Sequence, residues 1–171
     1  IDMWDSGVIS STDTSVVYSG NALTDGTTYY ARLQAITANS IPSNYEELTF
    51  RMNTEPTTPV LVSPINDQVT ATPVILNVFN AIDAESDVVT YSFNVYDDAT
   101  LTTKLDSATA LTEDTDTTSW QVTATLPDNE QYFWTVSTND GYEESAVSDA
   151  GSFLLNTDNN PPDMFTLSMP L

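Results

Sequence analysis

Three carboxylates alternate along one short stretch of the chain, IDAESDVVTY at residues 82–91. Asp83, Glu85 and Asp87 occupy every second position of this stretch, between two apolar runs. Ca²⁺ is bound by about six to eight oxygen ligands in flexible geometry, which an acidic, irregular loop can supply. The spacing therefore predicts a candidate calcium site, although it does not match the EF-hand loop. The alternative is a solvated acidic loop in an already acidic protein.

The composition excludes several other kinds of site. The chain has 171 residues with no cysteine and no histidine, so thiolate zinc sites, Ser–His or Cys–His catalysis and haem ligation by histidine are excluded. Two carboxylates can also hydrolyse glycosides, but among 25 acidic residues some pair will always have a suitable separation. A suitably spaced pair is therefore weak evidence for catalysis, and we expect that the protein is not an enzyme.

The charge balance restricts the partners. The chain has 25 acidic residues against three basic ones, with a formal net charge of −22 at pH 7. This charge repels phosphate backbones and attracts divalent cations or cationic partners, so we expect no nucleic-acid partner. The longest strongly apolar run, PVILNVF at 73–79, is too short to span a bilayer. We therefore expect no direct membrane insertion.

One eight-residue pattern occurs twice, with identical Leu, Asp and Tyr positions. Residues 23–30, LTDGTTYY, recur one domain length later as LPDNEQYF, so that Leu23 matches Leu126 and Tyr29 matches Tyr132. A period of about 100 residues is the size of one small domain and not of a solenoid repeat. The chain is therefore predicted to be a tandem array of small domains.

Apolar and polar residues alternate along several short runs, and Pro, Asp, Asn and Gly separate these runs. The residues that this alternation assigns to a core face are Val74, Leu76, Val78, Val89, Tyr91, Phe93, Val95, Trp120, Val122, Ala124, Leu126, Tyr132, Trp134 and Val136. A period of two with turn signals every 8–12 residues or so is typical of antiparallel β-sandwiches. The predicted fold class is all-β.

The segments LPDNEQYFWTV and LTDGTTYYARL resemble the tyrosine corner between strands E and F of fibronectin type III domains. The resemblance implies tandem antiparallel immunoglobulin-like sandwiches. Tyr29 and Tyr132 would be structural residues whose rings pack in the core and whose hydroxyls bond to backbone at the corner. Leu23 and Leu126 lie at the same corners.

Two tryptophans belong to the implied core. Related modules often carry a Trp on strand B, where this chain has Val78. Trp120 and Trp134 are expected to fill that space.

The resemblance also divides the chain into domains. Residues 1–54 hold the C-terminal half of a sandwich, with strands C′, E, F and G only, so the first domain is incomplete. Residues 55–157 form a complete sandwich, and 158–171 hold a linker and the first strand of a further domain. The missing strands either precede this sequence in a longer protein or are donated by another chain. The strands expected in the complete sandwich are A at 59–71, B at 73–81, C at 88–97, C′ at 102–107, E at 118–126, F at 131–138 and G at 149–156.

In this fold the B–C and F–G loops lie at the same pole. The F–G loop, NDGYEES at 139–145, would add Asp140 to the candidate calcium ligands. Tyr142, at the tip of that loop, is a candidate ligand-contact residue, the alternative being an ordinary surface aromatic.

The predicted function is that of a non-catalytic extracellular module, a structural, adhesion or spacer element of a surface or secreted protein. A first alternative is a carbohydrate- or protein-binding module attached to a secreted polysaccharide-degrading enzyme. A second alternative is a subunit of a self-assembling filament or coat. The expected partners are neighbouring domains, with glycans or other surface proteins as further candidates, and the short proline-bearing linkers should be semi-rigid.

Overall fold

The computed structural model describes residues 3–158, and the chain divides into two compact units between Thr54 and Glu55. Residues 3–158 contain no helix, and so none with the length and apolarity needed to cross a membrane. The strands of each unit pair mainly antiparallel, which confirms the predicted all-β fold class. Apart from Asp158, the predicted linker and strand at 158–171 lie outside the described residues.

The first unit contains one two-stranded antiparallel sheet. Strand β1 (Thr28–Leu33) pairs with β2 (Glu46–Arg51), and these strands correspond to the predicted F and G. Residues 3–22, which were predicted to include C′ and E, form no strand. In a complete sandwich C′ pairs with C and E pairs with B, and neither partner is among the described residues of this unit. Without a neighbouring strand, their backbone groups have no ladder to join.

One face of this small sheet is apolar. The ring of Tyr29 on β1 stacks on Phe50 of β2, with 5.7 Å between the ring centroids. Leu33 and Leu48, on the same face, are 70% and 65% exposed, and Leu23 at the corner is partly buried. This face has the alternating apolar residues of a core surface, but its side chains remain largely exposed.

The second unit is a sandwich of two sheets. One sheet has the order β3-β5-β8, and the other has the order β4-β10-β9-β6-β7. These correspond to strands A, B and E in one layer and to part of A with G, F, C and C′ in the other, which is a fibronectin type III-like arrangement. The strands are β3 (Val60–Ser63), β4 (Gln68–Thr70), β5 (Ile75–Phe79), β6 (Thr90–Tyr96), β7 (Lys104–Thr112), β8 (Thr117–Gln121), β9 (Glu130–Asn139) and β10 (Gly151–Leu155).

Strand A, predicted as one element, is divided between the sheets. Its first part, β3, pairs antiparallel with β5, and its second part, β4, pairs parallel with β10. Pro64 follows β3 and has no N–H to donate, and Asn66 and Asp67 adopt positive φ values of 55° and 58°. These residues turn the chain from one sheet to the other.

Strand E ends earlier than predicted. The Asp106 carboxylate on β7 accepts hydrogen bonds from the backbone N–H groups of Thr123 (2.7 Å) and Ala124 (2.8 Å). Those two amides therefore point toward β7 and cannot extend β8 beyond Gln121.

The core of the second unit lies between the two sheets. Of the residues that the alternation assigned to the core face, all are buried except Ala124, which is partly buried and packs against the others. The Phe93 ring contacts both tryptophans, with its centroid 6.0 Å from that of Trp120 and 6.1 Å from that of Trp134. The predicted core face is confirmed.

The tyrosine corner occurs in both units, with different bonding. Tyr132 donates from its hydroxyl to the carbonyl oxygen of Pro127 at 2.8 Å, whereas the Tyr29 hydroxyl oxygen accepts from the N–H of Thr24 at 2.7 Å. Burial raises the pKa of Tyr132, while the bond from the Thr24 amide lowers the pKa of Tyr29. The same corner is thus part of a core in one unit and lies at the surface in the other.

Candidate cation site in the B–C loop

The loop between β5 and β6 keeps the alternation of the strands that flank it. The side chains of Asp83, Glu85 and Asp87 are partly buried, whereas Ala84 and Ser86 between them are exposed. The loop therefore turns its three carboxylates to the inner side and its other residues toward solvent.

Asp83 folds the loop around its own side chain. Its Oδ1 accepts hydrogen bonds from the backbone N–H groups of Glu85 (3.1 Å) and Asp87 (2.7 Å). Ser86 has a φ of 62°, and its N–H donates to the carbonyl oxygen of Asp83 at 3.4 Å. This tight turn brings residues 83, 85 and 87 to one side, as aspartate commonly does in turns.

The three carboxylates converge. One carboxylate oxygen from each of Asp83, Glu85 and Asp87 lies within 4.8 Å of the others. Asp83 Oδ2 and both carboxylate oxygens of Glu85 are buried, and none of the three has a hydrogen-bond donor among the described residues. Calcium–oxygen distances of about 2.3–2.6 Å would allow one ion to contact all three side chains.

The second unit has little positive charge to offset this cluster. Lys104 is its only lysine, and it has no arginine. Lys104 pairs with Tyr96, which lies at the end of β6 opposite to Thr90 and the loop. At a rise of roughly 3.3 Å per residue, β6 separates the two by about 20 Å, which is well beyond ion-pair distance.

The base of the loop is fixed on both sides by hydrogen bonds. Ile82, just before Asp83, exchanges two hydrogen bonds with Thr57, through Thr57 Oγ1 (2.7 Å) and the Ile82 carbonyl (2.9 Å). Ala81 N–H donates to the hydroxyl oxygen of Tyr91 at 2.7 Å. The loop is therefore tied both to the first residues of the second unit and to its core.

Tyr91 connects this loop base with a carboxylate just after the end of β7. Its side chain is fully buried, and its hydroxyl donates to Glu113 Oε2 at 2.9 Å. Burial is the main cause that raises the pKa of Tyr91 to about 12, the Glu113 carboxylate adds to it, and the bond from Ala81 opposes it.

We expect a loss of stability at high pH from this tyrosine. The pKa of Tyr91 in the folded protein, about 12, lies above the ordinary 10.0. The stability that the neutral hydroxyl contributes is therefore complete below about pH 10 and is lost as the pH rises toward about 12. Urea unfolding at about pH 9 and about pH 11 should show a smaller decline for Tyr91→Phe than for the wild type. Equal declines would contradict the assignment.

The F–G loop is arranged around a different aspartate. Asp140, predicted to join the calcium ligands, is not part of the converging group. It is buried, and its Oδ1 accepts from the N–H groups of Tyr142 and Glu143, both at 2.7 Å. This carboxylate shapes the tip of the loop, where the Tyr142 side chain is 62% exposed.

Two residues that support the site were not singled out as such from the sequence. Tyr91 was predicted only as a core residue, because alternation reports a buried ring but not the partners of its hydroxyl. Thr57 lies in the linker segment, and no sequence signal connects it with Ile82, 25 residues away.

Comparisons with known proteins give likenesses of fold only. No protein-family model and no curated protein matches the sequence. Among solved structures, the FN1-FN3 domains of chicken CNTN1 are similar with a TM-score of 0.43 and 14% identity, over 80% of this chain and 46% of that one. Domains d3-d4 of the rat CD45 extracellular region are similar with a TM-score of 0.45 and 11% identity, over 86% of this chain and 74% of that one. The match thus spans less than half of the CNTN1 chain.

Proposed function

We propose that the chain is a structural spacer segment of an extracellular multidomain protein, in which tandem sandwiches hold other parts at a distance. The observation that supports this proposal is the short connection between the two units. Thr54 donates from its hydroxyl to Asp25 in the first unit (2.9 Å), and Thr57 pairs with Ile82 in the second. Only two residues separate the hydrogen-bonded ends, and one of them is a proline, which restricts the backbone.

A spacer of this kind should lose its stiffness when the connection is lengthened. Because the protein has no cysteine, Glu47→Cys and Thr109→Cys provide two unique, exposed positions for spin labels, one in each unit. We expect a narrow distance distribution by double electron–electron resonance. We expect a clearly broader one after insertion of about eight Gly and Ser residues between Glu55 and Pro56, since such linkers behave as flexible coils.

The same insertion between Ala38 and Asn39, in the exposed loop that follows β1, is the control and should leave the distribution unchanged. If the wild-type distribution is already as broad as that of the linker variant, the units are flexibly joined and the spacer proposal fails.

One observation favours a binding module as the second candidate. Tyr142 presents an exposed aromatic ring on a loop whose backbone is fixed by Asp140. Flat aromatic rings on rigid loops suit carbohydrate or protein ligands. Retention on a glycan array that is lost in Tyr142→Ala would favour this candidate over a pure spacer.

The exposed apolar face of β1 and β2 favours a third candidate, a self-assembling filament or coat. Leu33 and Leu48 on that face are the side chains that strands from a neighbouring chain would cover. Concentration-dependent assembly in analytical ultracentrifugation, abolished by Leu48→Lys, would support it.

A further inference from the structure

The B–C loop has the geometry of an ion site in addition to its role in the sandwich. We propose that it binds one Ca²⁺ ion through the carboxylates of Asp83, Glu85 and Asp87, and that the ion fixes the loop and the start of the second unit at Thr57. The convergence of the three carboxylates within 4.8 Å is the first observation that supports this site.

The second observation is independent of the clustering. Both carboxylate oxygens of Glu85 and the Oδ2 of Asp83 are shielded from solvent and have no donor among residues 3–158. A buried carboxylate oxygen without a hydrogen bond is costly, and the neighbouring Asp83 and Glu85 carboxylates repel each other as well. Burial of this kind is stable when a cation occupies the space between the oxygens.

The donor set selects the class of ion. All available ligand atoms are oxygens, and this disfavours zinc and copper, which prefer nitrogen and sulfur ligands. Mg²⁺ keeps several of its waters in a strict octahedron, whereas Ca²⁺ accepts bidentate carboxylates and irregular geometry. Because the Glu85 oxygens are shielded from water and both are available, the site suits Ca²⁺ with Glu85 as a bidentate ligand.

The ion would act on the neighbouring segment through the backbone. Asp83 follows Ile82, whose N–H and carbonyl are both bonded to Thr57. Fixing Asp83 with a cation therefore also holds Ile82 in place for its pairing with Thr57. Calcium would thereby determine how firmly the chain is anchored where it enters the second unit.

The test is a calcium titration of the complete chain followed by thermal unfolding. In the wild type, Tm should rise by about 10 °C or more at a Ca²⁺ concentration about 100 times the Kd. Isothermal titration should give one ion per chain. Glu85→Gln, which keeps the shape of the side chain, should weaken binding by about tenfold or more because it removes one charged ligand.

Without calcium, the same substitution should stabilise the protein. In excess chelator, Glu85→Gln should unfold at a higher temperature than the wild type, because one of three crowded charges is gone. Glu143→Gln changes an exposed acid of the F–G loop and is the matched control, which should bind Ca²⁺ as the wild type does. Hydrogen exchange provides a second measurement, and Ca²⁺ should slow exchange at the amides of Thr57 and Ile82.

Three outcomes would overturn the proposal. They are an unchanged Tm with Ca²⁺ in the wild type, an equal rise in the wild type and in Glu85→Gln, and an equal rise with Mg²⁺ at the same ionic strength. The first two would leave only a charged surface loop, and the third would overturn the choice of ion.

Discussion

Trp134→Ala is expected to lower the free energy of unfolding of the second unit by about 3–5 kcal/mol, the usual cost of removing a buried tryptophan. The Trp134 side chain is 0% exposed, and its ring stacks on Phe93. Its Nε1 donates to the buried carbonyl oxygen of Pro64 at 2.7 Å. The substitution therefore opens a cavity between the sheets and leaves that carbonyl without its donor.

Urea unfolding followed by far-UV circular dichroism measures this loss. Fluorescence is a second probe when Trp4, the other remaining tryptophan besides Trp120, is replaced by Phe in both proteins. Trp134→Phe separates the two causes, because it keeps an aromatic ring on Phe93 but removes the donor to Pro64. We expect about 1–3 kcal/mol for that variant. A loss below about 1 kcal/mol in Trp134→Ala would mean that the two sheets do not pack around this ring.

The core of the second unit could be predicted because apolar residues face the opposite sheet at every second position of its strands. In that situation each inward residue is followed by an outward one, and the sequence records the pattern directly. The run that includes Tyr91 follows this rule, with buried and partly buried residues alternating. In β9, a central strand, the inward Trp134 is buried, and so are Thr135 and Ser137 on the other face. The points at which strands end or change sheets were less predictable, because they depend on individual long-range hydrogen bonds.

Asp106 illustrates such a bond. In the sequence it is one acid among many, yet its carboxylate captures the amides of Thr123 and Ala124 and ends β8. The division of strand A after Ser63 has a local signal in Pro64, but which sheet each half joins depends on β5 and β10. Neither result follows from periodicity.

The candidate site was predictable to a similar extent. Alternation continued into the loop, so the convergence of Asp83, Glu85 and Asp87 could be expected from their spacing. The assignment of Asp140 depended on two loops lying at one pole, and proximity of loops does not fix where a side chain points. Asp140 bonds to the amides of its own loop, as aspartate in turns commonly does.

Gly151→Ala is expected to lower the free energy of unfolding of the second unit by about 1–3 kcal/mol, although it adds one methyl group only. A Cβ at this position would lie 2.6 Å from Trp134 Nε1 and 2.9 Å from Leu61 Cδ1. The indole cannot move aside without losing its bond to Pro64. Ala150→Ser adds one atom at the exposed neighbouring residue and is the control, with an expected change within about 0.5 kcal/mol.

A double-mutant cycle identifies which contact excludes the methyl group. Gly151 and Trp134 are direct partners across β10 and β9, so the indole covers the glycine. In a Trp134→Phe background the nitrogen is gone, and Gly151→Ala should cost less than in the wild type by about 1 kcal/mol, since contacting residues couple. An unchanged cost would instead assign the restriction to Leu61. Gly151 begins β10, inside the predicted strand G, and its lack of a side chain leaves space for Trp134. That is a tertiary requirement, which no local pattern reports.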